Sequence, residues 1–312
     1  MKIIDLKTGK ETTLSEHERV SCALGNFDGV HLGHRALLRT AAEKRNADKC
    51  AVWTFSEPSS RTTSGVSLLT DPAERFAIFR ELGIDLVFLA DFESVRGLDK
   101  ETFAKEILYK ECHVRTAVCG FNFRYGTRAS GNAETLKATF STLGANVEVI
   151  PPFTISGMTV SSSEIRTALS AGEVERATEM LARPYSITAE ISHGKKLGRT
   201  LGFPTANQMI PQNRALPRFG VYAVRMTVDG TVYHGVANVG VRPTVENTDA
   251  VNCETYLLDF EGDLYGKTVK TEFLHFIRGE KRFFDVFELK AAVEQNILDA
   301  KAYFSIEKEK MA

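Results

Sequence analysis

The feature that most constrains this chain is a change of rhythm part-way along it. From about residue 20 to 150, short apolar runs alternate with amphipathic stretches of helical length. From residue 186 onward, strand-like segments follow one another without helices between them. The first rhythm starts with Val20-Ser21-Cys22-Ala23-Leu24, a buried strand by its continuous apolarity. Residues 25–34 make a glycine-bearing turn, and residues 35–42 have helical spacing and good helix formers. Residues 50–55, 85–89, 117–119 and 147–150 read as further strands. Asp71 as N-cap and Pro72 at the first helical position start a helix that turns Phe76, Phe79 and Leu82 inward and stops at Gly83. Other helices are expected over residues 102–109 and 133–143. Such alternation implies a parallel sheet covered on both faces, with ligands beyond the carboxyl ends of its strands. The turn at residues 25–34 has that position.

Pro151-Pro152 breaks the pattern, a serine-rich turn at residues 160–163 feeds another helix, and a short helix runs to about residue 181. Arg183-Pro184-Tyr185 reads as a linker, giving domains over residues 1–184 and 185–312. Two domains are the default for 312 residues. In the second, Tyr222, Val224, Met226 and Val228 share one face of a strand, Asp229-Gly230 turns, and residues 231–237 return as its partner. Residues 254–260 and 267–273 read as a second hairpin around Glu261-Gly262-Asp263. The expectation is a small antiparallel β-barrel, because no long helix is available to cover an open sheet. An amphipathic helix over residues 285–304 ends it, with Val286, Leu289, Val293, Ile297, Ala300 and Phe304 on one stripe.

Composition excludes several function classes. A net charge of −1 gives no global case for binding nucleic acid or an anionic membrane. The five cysteines are scattered and form no C-x-x-C pair, so reduced thiols in a cytoplasmic setting are expected and a sulfur-based metal site is not. Residues 1–7 lack an apolar signal core, and no stretch approaches the length of a membrane span. Small-molecule ligands are the expected partners; self-association is not readable from these residues.

Several clusters carry candidate chemistry. Gly25, Asn26, Phe27, Asp28 and Gly29 lead into His31-Leu32-Gly33-His34. Free backbone N–H groups and a helix dipole meet there, which suits a phosphate. Nucleotide transfer needs donors where charge builds on the α-phosphate and the leaving pyrophosphate, and the two histidines would be those donors. His-x-Gly-His alone reads equally well as a glycine turn bearing two histidines; the surrounding residues favour function. The Gly-x-Gly-x-x-Gly fingerprint is absent. Ser161, Ser162 and Arg166 at a helix start make either a second phosphate clamp or an ordinary cap. Residues 120–126, with Asn122 and Arg124 among aromatics, offer contacts to a flat ligand or simply buried loop aromatics. Residues 193–207 are rich in glycine and cations, and Gly194, Gly198, Arg199, Thr200 and Pro204 fit a phosphate cradle. Thr205 and Asn207 offer oxygens to Mg²⁺. Glu254 by itself reads as a solvated strand residue. Residues 262–268 imitate a Walker A loop but have three residues between the glycines and lie between strands, so they are not one.

In this order the motifs resemble those of the bacterial bifunctional riboflavin kinase/FMN adenylyltransferase (FAD synthetase) family, over nearly the whole chain. The resemblance rests on residues 25–34, 120–126 and 161–166, on Gly198-Arg199-Thr200-Leu201-Gly202-Phe203-Pro204-Thr205-Ala206-Asn207, on residues 238–244, on Glu254 and on residues 258–267. It implies an α/β plus β architecture: a Rossmann-like nucleotidyltransferase domain followed by a six-stranded barrel kinase domain. It also implies ATP as co-substrate, Mg²⁺ as cofactor, and riboflavin, FMN and FAD as substrates and products. Glu254 matches the family's catalytic base, and Thr205 and Asn207 match its Mg²⁺ and phosphate positions. His31, His34 and Arg166 match phosphate-stabilising positions, and Asn122, with Arg124 beside it, is expected at the flavin. The chain departs from the family at Ser56-Glu57-Pro58, where many members carry Pro-His-Pro, at Ser163 for a threonine, and at Val241 for a threonine. Two alternatives are a paralogue with one working module and a flavin-binding regulator without turnover.

Overall fold

The computed structural model describes residues 1–8, 14–15, 17–45, 48–56, 67–193, 198, 202–241 and 250–311. They form two compact units, Met1–Ser162 and Ser163–Ala312.

The first unit begins with β1 (Lys2–Asp5), β2 (Val20–Leu24) and α1 (Leu32–Glu43). Next come β3 (Lys49–Phe55), α2 (Pro72–Glu81), β4 (Leu86–Ala90) and α3 (Phe92–Val95). A helical turn α4 (Lys100–Thr102) continues as a π-helix over Phe103–Glu111 and leads to β5 (Val114–Gly120). The short pair β6 (Arg124–Tyr125) and β7 (Gly131–Asn132) precedes α5 (Ala133–Thr142) and β8 (Asn146–Ile150). A small hairpin, β9 (Thr154–Ile155) with β10 (Met158–Thr159), closes the unit. Local chemistry accounts for the helix starts: the Asp71 carboxylate accepts the Glu74 N–H at 2.7 Å, and Asn132 with Thr135 forms a reciprocal capping box.

Six strands pair in parallel in the order β1-β4-β3-β2-β5-β8. Successive strand residues feed opposite layers. Cys22, Leu24, Trp53 and Phe88 pack with Leu136 and Phe140 of α5. Ala23, Val52, Val87 and Val118 pack with Leu38 of α1 and Phe79 of α2. Both faces are therefore covered, as a parallel sheet requires. The chain leaves β2 toward β3 on one side and joins β5 on the other, so the switch point of the sheet lies between β2 and β5.

The second unit opens with α6 (Ser162–Ala171), whose first residue ends the first unit, and α7 (Val174–Leu181) follows. The barrel strands are β11 (Tyr185–Ser192), β12 (Thr205–Met209), β13 (Gly220–Val228), β14 (Thr231–Val241), β15 (Val251–Leu257) and β16 (Thr268–Gly279). They close in the order β11-β12-β15-β14-β13-β16, and α8 (Val286–Met311) ends the unit. Because α7 packs on β11 and β16, the compact division falls ahead of residues 184/185.

Tyr222, Val224, Met226 and Val228 are buried as their alternation predicts. Val221 and Ala223 are buried too, because Ala300 and Phe304 of α8 cover them from outside. The helical stripe is used unevenly: Ala300 and Phe304 are buried, Leu289, Val293 and Ile297 are half-buried, and Val286 at its start is 50% exposed. The second hairpin is corrected. β15 pairs with β12 and β14, whereas β16 pairs with β11 and β13, so the two never meet. Both edges of β15 are already taken, and the connection instead places Leu264 in the apolar cluster of Ile191, Ala206 and Val269.

Candidate active sites

The first site is the loop after β2, at the switch point. Phe27 and Val30 adopt φ of +53° and +40°, the left-handed region, which for side chains of this size costs about 1–3 kcal/mol each. Packing holds them there: both are fully buried, and the Phe27 ring lies edge-on to Phe79 at 5.7 Å. The Asp28 carboxylate accepts the N–H groups of Leu69 (2.9 Å) and Thr70 (3.2 Å), so it braces the loop. Thr70 Oγ1 in turn accepts the Gly29 N–H at 3.2 Å. The Asn26 carbonyl accepts from Thr54 Oγ1 (3.2 Å) and Arg75 Nη1 (3.1 Å). Gly25 continues the sheet by donating to the Trp53 carbonyl.

The loop delivers two histidines to the start of α1. His31 is its N-cap, and Nδ1 accepts the His34 N–H at 3.3 Å, so a neutral His31 carries its proton on Nε2. The two rings stack at 3.7 Å and 17°. A Cβ at Gly33 would come within 3.2 Å of the His31 ring, a tight contact that the ring would have to yield to. His34 Nδ1 is buried without a hydrogen bond among the described residues. Burial first, and the neighbouring His31 second, hold the His34 pKa well below the ordinary imidazole range. His34 is therefore a neutral donor at pH 7.

Ser162 Oγ donates to the Asp28 carbonyl at 2.9 Å, tying the start of α6 to this loop. Ser161 precedes that helix and Arg166 lies one turn into it. Because β5 pairs with β2, the loop after β5 opens on the same sheet edge. Asn122 and Arg124 are exposed there, Phe121 is half-exposed, and Phe123 stacks on Tyr125 at 5.6 Å.

The second site is on the outer wall of the barrel. Cys253 and Thr255 are fully buried inside, so Asn252 and Glu254 face outward. Glu254 is directly opposite Asn207 of β12 and Asn238 of β14, and Thr205 is opposite Tyr256. Asn207 is buried, and its Nδ2 donates to the Thr205 carbonyl at 3.3 Å. Gly198 accepts the Phe203 N–H at 2.8 Å, and a Cβ there would collide with the Phe203 carbonyl. The same Cβ position is 3.5 Å from Thr205 Oγ1, so Gly198 lies beside that hydroxyl. Pro204 sets the entry to β12. The structure thus brings Gly198, Pro204, Thr205, Asn207 and Glu254 together. Gly194, Arg199 and Thr200 lie outside the described residues, as do Glu57, Pro58 and residues 242–244.

Among the described residues, no cluster of three or more His, Cys, Asp or Glu side chains could hold a metal ion. The hydroxyl of Thr205 and the amide oxygen of Asn207 are hard, neutral donors, a set that suits Mg²⁺ bound together with phosphates and water. One neighbour escaped motif reasoning. Asn252 Nδ2 donates to Glu254 Oε1 at 2.9 Å, and its only sequence signal is the two-residue spacing that puts both side chains on one strand face.

Comparison with known proteins agrees with this division. The FAD synthetase family matches residues 13–164, and the riboflavin kinase family matches residues 181–304. The chain is 33% identical over 314 residues to the bifunctional riboflavin kinase/FMN adenylyltransferase of Bacillus subtilis, covering 98% of this chain and 99% of that one. Its counterpart in Escherichia coli K12 is 34% identical over 305 residues, covering 95% and 96%. A crystal structure from Streptococcus pneumoniae, named as a macrolide-efflux protein, superposes with a TM-score of 0.84 at 29% identity over 96% of this chain and 98% of that one. No helix among the described residues is long and apolar enough to cross a membrane. With both catalytic domains present and the likeness running the length of the chain, this protein belongs to the bifunctional riboflavin kinase/FMN adenylyltransferase family and serves flavin cofactor biosynthesis.

Proposed function

We propose the following division of labour between the two sites. At the barrel wall, Glu254 takes the proton of the riboflavin 5′-hydroxyl as that oxygen attacks the γ-phosphate of ATP; the new O–P bond forms, the β–γ bridge breaks, and ADP leaves. A general base of this kind contributes about 10²–10⁴-fold. Gly194, Gly198, Arg199, Thr200 and Pro204 line the phosphates, and Thr205 with Asn207 holds Mg²⁺, which neutralises phosphate charge. Positioning and charge supply the rest of the acceleration. At the switch point, an FMN phosphate oxygen attacks the α-phosphate of a second ATP and pyrophosphate leaves. The loop of residues 25–29 cradles the phosphates, His31, His34, Ser161, Ser162 and Arg166 stabilise charge on them, and Asn122 and Arg124 contact the flavin. The activities divide at residues 184/185, and the enzyme works in the cytoplasm.

The observation that carries the kinase reading is the register that sets Glu254 directly across from Asn207. A lone strand carboxylate would be unremarkable; one opposite a buried amide, with the Thr205 hydroxyl on the same strand as that amide, supports the reading of this face as the site of phosphoryl transfer. The test is to incubate protein with riboflavin, ATP and Mg²⁺ and separate the flavins chromatographically over time. FMN should appear first and FAD after it. Glu254→Gln should abolish FMN formation and spare conversion of added FMN to FAD; His34→Ala should do the reverse. FMN without FAD, under both oxidising and reducing conditions, would leave a one-module enzyme, and neither product would leave a flavin-binding regulator.

A further inference from the structure

We infer that Asn252 is the positioning residue of the kinase base: its side-chain amide fixes the Glu254 carboxylate so that one oxygen is anchored and the other faces the substrate hydroxyl. The inference rests on the reading of Glu254 as that base. Asn252 and Glu254 are two residues apart on β15 and share its outer face. Asn252 is only 4% exposed, and its Nδ2 lies 2.9 Å from Glu254 Oε1. The orientation of the amide follows from chemistry, because an ionised carboxylate only accepts and the amide nitrogen only donates. The backbone of Asn252 is clamped on both sides, opposite Met209 of β12 and Gly240 of β14.

A glutamate on a strand face has three rotatable bonds and, alone, would sweep its carboxylate over several ångströms. A base must reach hydrogen-bond distance of the proton it takes, so its wandering costs turnover rather than binding. The neighbouring neutral amides, Asn207 and Asn238, flank Glu254 on either side. Charged groups on this face include Glu280, whose carboxylate lies against Gly240, and Arg278, held through Nε by Asn296 of α8 at 2.9 Å. Asn252 is thus a donor in contact with the base itself.

The full-length protein tests this with three variants. Asn252→Leu, which keeps the bulk and removes the donor, should lower the kcat of riboflavin phosphorylation by about 10–10²-fold while KM for riboflavin and ATP stays within about twofold. The barrel's own urea transition, followed by circular dichroism, serves as the folding control and should be unchanged, as should FMN adenylylation, which the other domain carries. Asn252→Asp is isosteric and turns the donor into a second carboxylate; two adjacent carboxylates share a proton, which restores a donor as pH falls. Its kcat relative to the natural protein should therefore rise from pH 8.5 to pH 6.5. An Asn252→Leu enzyme with the natural kcat would overturn the inference. So would an Asn252→Asp enzyme whose relative kcat is flat with pH, because a merely structural asparagine predicts that. Glu254→Gln separates the two readings: if it retains phosphorylation, Glu254 is not the base, whatever the Asn252 variants do.

Discussion

At the scale of single residues, the structure reassigns work among groups that the sequence places side by side. Asp28 stands in a motif that invites a phosphate reading, yet its carboxylate is committed to the amides of Leu69 and Thr70. Nothing in the local sequence announces that bond, since its partners are more than 40 positions away. Asn252 escaped for the same reason, because an asparagine has meaning only through what it touches. The histidines were legible, but their protonation was not. The folded His34 has a pKa held well below that of the unfolded chain, which is about 6.5. Between those values the unfolded state binds the extra proton, so stability contributed by His34 is complete above pH 6.5 and is lost as pH falls below it. The first unit should thus weaken from pH 7.5 to pH 5.5, and less so in His34→Gln. Trp53, the chain's only tryptophan, sits in that unit's core, so its fluorescence in urea titrations at the two pH values reads the difference directly.

At the scale of elements, legibility followed the range of the forces involved. Strands β2 to β5 and helix α2 are announced by apolar runs and caps, which act within a few residues. The edge strand β1 is not, because only Ile4 of Lys2–Asp5 is buried. Pairing across the barrel is longer in range still. The Asp229-Gly230 turn declares the β13–β14 hairpin, with φ of +49° and +82° at its two corners. The link from β15 to β16 contains glycines as well, but barrel closure, which no local pattern encodes, sends the two strands to different neighbours. Helix α8 has a full apolar stripe and buries it fully only toward its C-terminal end. Its anchor is Phe304, buried over Val221 and Ala223 and stacked on His234 at 4.0 Å. Phe304→Ala should destabilise the second unit by about 3–5 kcal/mol. The Trp53 transition should stay in place while the barrel's contribution to circular dichroism melts at lower urea; movement of both would show that the loss is not local to the barrel.

At the scale of the molecule, the two activities share an intermediate but not a core. The first unit buries its apolar residues between a parallel sheet and its own helices. The second buries its own inside and around a closed barrel. The histidines follow β2 of the first unit, whereas Thr205, Asn207 and Glu254 stand on β12 and β15 of the second. A lesion in one site therefore leaves the other's scaffold untouched, and FMN released from a working barrel is a substrate for any working switch-point site. Glu254→Gln alone should stop at riboflavin, and His34→Ala alone should stop at FMN. Mixed in equal amounts with riboflavin, ATP and Mg²⁺, the two full-length variants should make FAD, after a lag that shortens as total protein rises, because FMN must pass through solution from one chain to the other. Chromatography of the mixture over time measures both the yield and the lag. A mixture that accumulates FMN without FAD, while Glu254→Gln alone still converts added FMN, would mean that FMN is not released at the barrel in a form the second site accepts.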